Sequence, residues 1–148
     1  MVHALLLAAA FSLHSPGDAQ IVEARAATAL FAAVNAERRR DGLAPLVLDP
    51  QLGRAALEHV EDMSRNNYFA HVSPAGITPA DRLRQCGVEF SFAAENIAWA
   101  GDEVQADRAL FRSAPHRTNT LNPKYSRVGI AVMHAADGRL LFVEDFAD

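Results

Sequence analysis

The chain of 148 residues has a single cysteine, Cys86, so no intramolecular disulfide can form and the fold must be held by its core. An excess of basic charge is also missing: 14 Lys and Arg stand against 18 Asp and Glu, a formal net charge of −4. A mildly acidic chain lacks the electrostatic footprint of a nucleic-acid binder. Its one basic run, Arg38-Arg39-Arg40, ends a helical pattern, where cations favour the helix dipole, and reads as a solvated helix end. The apolar run from Ala4 to Leu13 falls short of the about 20 residues that a membrane span needs. No HExxH, CxxC or GxSxG motif is present, so no local signature announces a zinc protease, a thiol site or a nucleophile elbow.

What is present is ordinary globular composition, with half the residues hydrophobic and 22% charged, which argues for one domain with one core. The first nineteen residues differ. MVHALLLAAAFSLHSPGDA places an apolar run before Ser-Pro-Gly and Ala19, the pattern of a secretory signal peptide cleaved near Ala19. Residues 20–148 would then form a single domain, secreted to the exterior or the periplasm, with no stable membrane span, and a monomer.

Along that domain, Val22, Ala26, Ala29, Leu30, Ala33 and Val34 recur at helical spacing, predicting a helix over Ile21–Arg40 that Asp41-Gly42 stops. GLAPLVLD is a connecting segment. Asp49-Pro50 opens a second helix, with the cap followed by proline at the first helical position. That helix carries Leu52, Ala55, Ala56, His59, Val60 and Met63 on one face and ends near Asn66-Asn67. Thr78-Pro79-Ala80-Asp81 caps a short helix ending at Gly87. VEFSF alternates as a strand would, and Asp102 caps a helix from Glu103 to about Ser113. PHRTNTLNP reads as turn. RVGIAVMHAADGRLLFVEDF is two β-rich runs joined by Ala-Asp-Gly, a hairpin signal. Helices first and a hairpin last predict an α+β fold, an antiparallel sheet covered by helices. Cys86 has no charged neighbour and reads as a small buried hydrophobe.

Chemistry gathers at three positions. His71, within YFAHVSPAG, and His116, within SAPHRTN, both fall in loops that follow helices, where a rigid scaffold presents functional groups. Glu95 sits among Phe92, Ala93, Ala94, Ile97 and Ala98, and a carboxylate there is costly to bury unless it is paired. Two imidazoles would satisfy it, by hydrogen bonds or through a shared cation, but residues so far apart in sequence cannot be shown to meet by spacing. His59 reads as a core or rim residue and His134 as a surface residue. The aromatic residues Tyr68, Phe69, Phe90, Phe92, Trp99 and Phe111 read mainly as core. Ser73 and Ser113 lie close to the two histidines, but a helical i, i+3 pair rarely gives the approach that a triad needs.

The ordered set VNAERRRDGLAPL, EDM, NYFAHVSPAG, TPADRL, ENIAWA, SAPHRTNTLNP, YSRVGIAV and EDF, spanning about Ala27 to Phe146, resembles the CAP superfamily of cysteine-rich secretory, antigen 5 and pathogenesis-related proteins. It is most similar to the small bacterial members without disulfides. The resemblance implies an α-β-α sandwich, and it implies that His71, Glu95 and His116 line one open cavity. The second carboxylate of the animal members' tetrad would fall at Ser113. Leu110 stands where bacterial members usually carry Trp, and Ala114-Pro115 where Pro-Gly is usual.

The family is known to bind divalent cations in this cavity, so His71, His116 and Glu95 are expected as ligands of zinc or a similar ion. That donor set leaves a place for water, as in a catalytic zinc site. The family has no generally accepted enzymatic activity, and members are described as binding lipids, sterols or other apolar ligands, or as acting through protein contact. The expectation is therefore a secreted binding protein for a small apolar ligand, a peptide or an extracellular partner, rather than an enzyme. The alternatives are a metal-assisted hydrolase of peptides or esters using the same three residues, and a scaffold whose His/Glu cluster is purely structural. Asn35, Arg38, Asn96, Arg117 and Asn119 are expected to hold loops by hydrogen bonding, with Asn119 orienting His116.

Overall fold

The computed structural model describes residues 16–148. Most of the expected leader, residues 1–15, lies outside them, and residues 16–19 are helical. The elements are α1 (Pro16–Arg40), β1 (Val47–Leu48), α2 (Pro50–Asn66), α3 (Pro79–Gln85), β2 (Ala93–Ala100), α4 (Glu103–Arg112), α5 (Ala114–Thr120), β3 (Arg127–His134) and β4 (Leu140–Ala147). The sheet order is β1-β3-β4-β2. β4 pairs antiparallel with both β3 and β2, and only the two-residue β1 runs parallel, to β3. β2 is therefore an edge strand.

Three layers result, because the strands are apolar on both faces and each face needs a cover. On one face, Ala56, Val60 and Met63 of α2 meet Ile97, Ala131, Leu141 and Val143. On the other, Ala26 and Leu30 of α1, with Ala106 and Leu110 of α4, meet Ala98, Val132 and Phe142. α2 begins where Asp49 accepts from the amides of Gln51 and Leu52, with Pro50 in the first turn, as the sequence predicts. It lies so close to β3 that a Cβ on Gly129 would fall 2.1 Å from the Leu52 carbonyl carbon. Only glycine fits there.

Three sequence expectations are corrected. VEFSF forms no strand; the strand starts at Ala93, where pairing with Ala147 begins. PHRTNT is the helix α5 rather than turn. Its Thr and Asn residues have weak helix propensity, and tertiary bonds hold it instead: Asn96 donates to the His116 carbonyl, and Arg38 to the Thr120 carbonyl. The basic run is not solvated throughout: Arg38 lies inside and bonds loop carbonyls, the part that the family resemblance gave it. It is buried and donates to the carbonyls of Ala44, Thr120, Asn122 and Tyr125, tying α1 to the segments that lead into β1 and β3. Cys86 is buried as expected, and burial pushes its thiol up from the ordinary value.

The Arg38 side chain thus donates to four carbonyls from a buried site. In Arg38→Lys, which keeps the charge but not the planar fork, equilibrium urea denaturation is expected to show a loss of at least about 2 kcal/mol. A loss within experimental error would mean that water replaces the fork. Gly129→Ala is expected to cost about 3 kcal/mol or more by the same measurement, since backbone has to move.

Candidate functional site

Five elements bring side chains to the β2 edge. The loop after α2 carries His71, α3 carries Arg82, β2 carries Glu95 and Asn96, α5 carries His116, and α2 contributes His59 from below. Alternation along β2 separates Glu95 from Asn96, so the two point to opposite faces of the sheet. Glu95 therefore faces the α2 side and Asn96 the α5 side.

On the α2 side, the Glu95 side chain is 1% exposed and both its oxygens are engaged. Oε2 accepts from Arg82 Nη2 at 2.6 Å, and Oε1 accepts from His71 Nδ1 at 2.8 Å. His59 Nε2 stands 3.8 Å from the same Oε1, while it bonds the Ala70 carbonyl at 3.1 Å. The two imidazoles around Glu95 are thus His71 and His59. No hydrogen bond joins Glu95 to His116. His59 is indeed buried, and its imidazole is held below the ordinary value, first by burial, against the opposing pull of Glu95. Beneath lies Asp145, opposite Glu95 in the β2–β4 register, buried and with neither carboxylate oxygen hydrogen-bonded. Burial, and then the Glu95 charge, push its carboxyl well above the ordinary range.

Arg82 is the central member of this cluster. Its side chain is 6% exposed, and it also donates to the carbonyls of His71 (2.9 Å) and Ile77 (3.2 Å). A complete capping box, Thr78 with Asp81, fixes the start of α3 and so aims Arg82 inward.

On the α5 side, Asn96 is fully buried. Its Nδ2 donates to the His116 carbonyl and to Glu144 Oε2, and its Oδ1 accepts from Asn119. Asn119 therefore orients Asn96 and not the His116 ring. The His116 Nδ1 atom is buried without a partner, and burial, followed by nearby His71, pulls the imidazole down from its ordinary value. Asn35 holds the loop before β1 through both polar atoms of its amide, against Leu46. Arg117 is exposed, with its guanidinium 5.9 Å from the Phe111 ring centre. Ser113 precedes α5 without making a side-chain cap bond. His134 is partly buried and bonds Glu23.

Beside the cluster opens a cavity of about 520 Å³, lined by the apolar Leu83, Phe90, Ala93 and Ala94 and by the polar Thr78, Ser91, His71 and Glu95. The His71 side chain is 46% exposed. His116 and Ser113 lie outside this lining. The aromatic residues are less buried than the sequence implied: Phe69, Phe92 and Trp99 are exposed, and Phe69 and Trp99 lie with ring centres 5.9 Å apart.

For the divalent cation that the resemblance implies, the donor set is incomplete. The imidazoles of His71 and His116 are suitable ligands. Glu95 does not fit the third place, because Arg82 holds one of its oxygens and His71 the other. Two unit charges 4 Å apart repel by about 4 kcal/mol at an effective dielectric of roughly 20, and a divalent ion on Glu95 would meet about twice that from Arg82. Among the described residues, no group of three or more His, Cys, Asp and Glu side chains is arranged to hold one metal ion.

His59, Arg82, Glu144 and Asp145 were missed by sequence reasoning. For Arg82 a signal existed, an arginine placed by a strong cap one turn into a short helix. For the two β4 carboxylates the signal was acid in an otherwise apolar strand.

The family model for the cysteine-rich secretory protein family, CAP, matches residues 31–146. The uncharacterized protein YkwD of Bacillus subtilis is 36% identical over 103 residues, covering 68% of this chain and 40% of that protein. The crystal structure of an extracellular protein containing a SCP domain from Bacillus anthracis superposes with a TM-score of 0.82 at 32% identity, over 90% of this chain and 44% of that one. The chain thus spans less than half the length of either. An outer surface protein from Borrelia burgdorferi shares the fold, with a TM-score of 0.76 at 21% identity over 82% of this chain and 90% of that one. Among the described residues, no helix is long and apolar enough to cross a membrane.

The buried Glu144 yields a pH prediction. Burial, opposed by the Asn96 hydrogen bond, pushes its carboxyl up to about 7. A folded-state value above the unfolded one means that the native state holds the proton more tightly. Stability therefore falls as pH rises through the window from the ordinary carboxyl range to about 7, and levels off above it. Glu144→Gln keeps the acceptor for Asn96 and removes the titration. Between pH 5 and pH 8 its unfolding free energy is expected to fall less than that of the parent, by up to about 3 kcal/mol. Parallel curves for the two proteins would show that Glu144 titrates normally.

Proposed function

The chain belongs to the cysteine-rich secretory protein (CAP) family, and on that basis we propose that it is an extracytoplasmic binding module rather than an enzyme. Its ligand is a small apolar molecule or an apolar peptide segment with one hydrogen-bonding end. The observation that carries this reading is the cavity of about 520 Å³, whose lining sets the apolar Leu83, Phe90, Ala93 and Ala94 beside the polar Thr78, Ser91, His71 and Glu95. A site of this size, mostly apolar with a few convergent polar groups, is the usual form of a small-ligand pocket. His71 is held through Nδ1 by Glu95, so its other ring nitrogen is available to receive the polar end of a ligand. Secretion is supported by the apolar leader pattern and by relatives described as extracellular or outer-surface proteins.

Hydrolysis in the same cavity is the second reading, favoured by one observation. A carboxylate 2.8 Å from a histidine nitrogen is the arrangement that orients a general base. Ser73 Oγ accepts from the Ile77 amide and is buried, so water would be the nucleophile.

Ala80 on α3 lines the cavity, and Ala80→Trp would fill it from a partly exposed position without touching the buried cluster. Titration with 8-anilinonaphthalene-1-sulfonate, an apolar anion, is expected to show saturable binding that weakens about tenfold or more in Ala80→Trp, with the melting temperature unchanged. Equal binding by both proteins would move the ligand site elsewhere. Turnover of p-nitrophenyl esters that disappears in His71→Ala would establish the second reading instead.

A further inference from the structure

We infer that Arg82 is the resident cation of this site, so that its guanidinium occupies the place on Glu95 that a divalent ion would need. Three oxygens converge on that one side chain: Glu95 Oε2 at 2.6 Å, the His71 carbonyl at 2.9 Å and the Ile77 carbonyl at 3.2 Å. Carboxylate and carbonyl oxygens are the donors that hard divalent cations take. Asp145 lies beside them, buried and with both oxygens unbonded. The pocket around Arg82 is therefore built as a cation site is built, and it holds a cation that cannot dissociate.

Two features make Arg82 a fixed part of the site and not a chance neighbour. The Thr78–Asp81 capping box sets the start of α3, and the bond from Arg82 to the His71 carbonyl ties the loop that presents the imidazole. One side chain thus neutralises Glu95 and positions His71, and the two tasks together are those of a structural metal ion. A buried carboxylate stripped of this partner would remain uncompensated, which gives any added cation a place to bind.

The test is a calorimetric titration of zinc and of manganese into the parent chain, Glu95→Gln, Arg82→Ala and Arg82→Lys, each first dialysed against EDTA and checked by circular dichroism. In the parent, zinc affinity is expected to come from imidazoles alone, so Glu95→Gln, which leaves an acceptor for His71 Nδ1, weakens it by no more than about a hundredfold, the cost of losing the carboxylate behind a ligating histidine. Complete loss of zinc binding in a folded Glu95→Gln would overturn the inference, because Glu95 would then ligate metal with Arg82 in place. Arg82→Ala is expected to melt at a lower temperature than the parent, to gain at least tenfold in affinity for manganese, and to recover part of the lost melting temperature when manganese is added. Arg82→Lys keeps a charge in the pocket and gains nothing. A folded Arg82→Ala that gains no affinity for either ion would also overturn the inference. If that variant does not fold, the Glu95→Gln comparison decides on the intact protein.

Discussion

Burial of a carboxylate on an edge strand is the constraint around which this end of the molecule is organised. Glu95 cannot sit in the β2 edge without a partner, since an isolated buried charge costs several kcal/mol, on the order of what a small domain has to spare. Arg82 supplies that partner at 2.6 Å, and what surrounds the pair follows. α3 must begin at a strong cap to aim Arg82 inward, the loop after α2 must bring the His71 carbonyl to the same guanidinium, and the Asp145 carboxyl beneath is pushed well above the ordinary range by burial and then by the Glu95 charge. A buried ion pair of this kind is weak evidence of added stability. Its clearer consequence is specificity of arrangement: few packings satisfy both charges at once.

The pair also shapes what the cavity offers. With Glu95 neutralised from one side, the polar end of the cavity is an oriented imidazole and not an open anion. His71 is the most exposed member of the cluster, while His59, Arg82 and Glu95 form a buried base for it. The apolar part of the cavity lining comes from α3 and the strand entry, Leu83, Phe90, Ala93 and Ala94. A second polar layer, Asn96 with Glu144 and Asn119, stands behind His116 on the opposite face. The histidines flank the edge strand, close enough for His71 to help lower the His116 imidazole, without sharing Glu95.

The sequence placed the cavity residues near one another only through resemblance to a family, and the structure refines that placement. His71 and Glu95 meet, whereas His116 approaches His71 from the other face without bonding Glu95. His59 looked like a core residue by helical periodicity and is one, yet its ring nitrogen reaches toward Glu95. The charge pattern read Arg38 as the end of a solvated basic run, and only the resemblance gave it loop-holding bonds; it lies inside and bonds four carbonyls. Periodicity cannot separate these cases, because a long side chain can bury its charge wherever the fold happens to supply acceptors.

What the sequence determined by itself is what local physics governs. The caps at Asp49, Thr78 and Asp102, the apolar spacing of α2 and the β-rich runs that became β3 and β4 follow from hydrogen bonding and side-chain pattern within a few residues. The α+β class follows from their order. Tertiary structure alone decided that PHRTNT is helical, that Phe69, Phe92 and Trp99 are exposed, and that the partner of Glu95 is Arg82. Each of these depends on a group distant in the chain, such as the Asn96 amide for α5 or the α3 guanidinium for Glu95. A charge chooses its partner by proximity in space, which no spacing along the chain encodes.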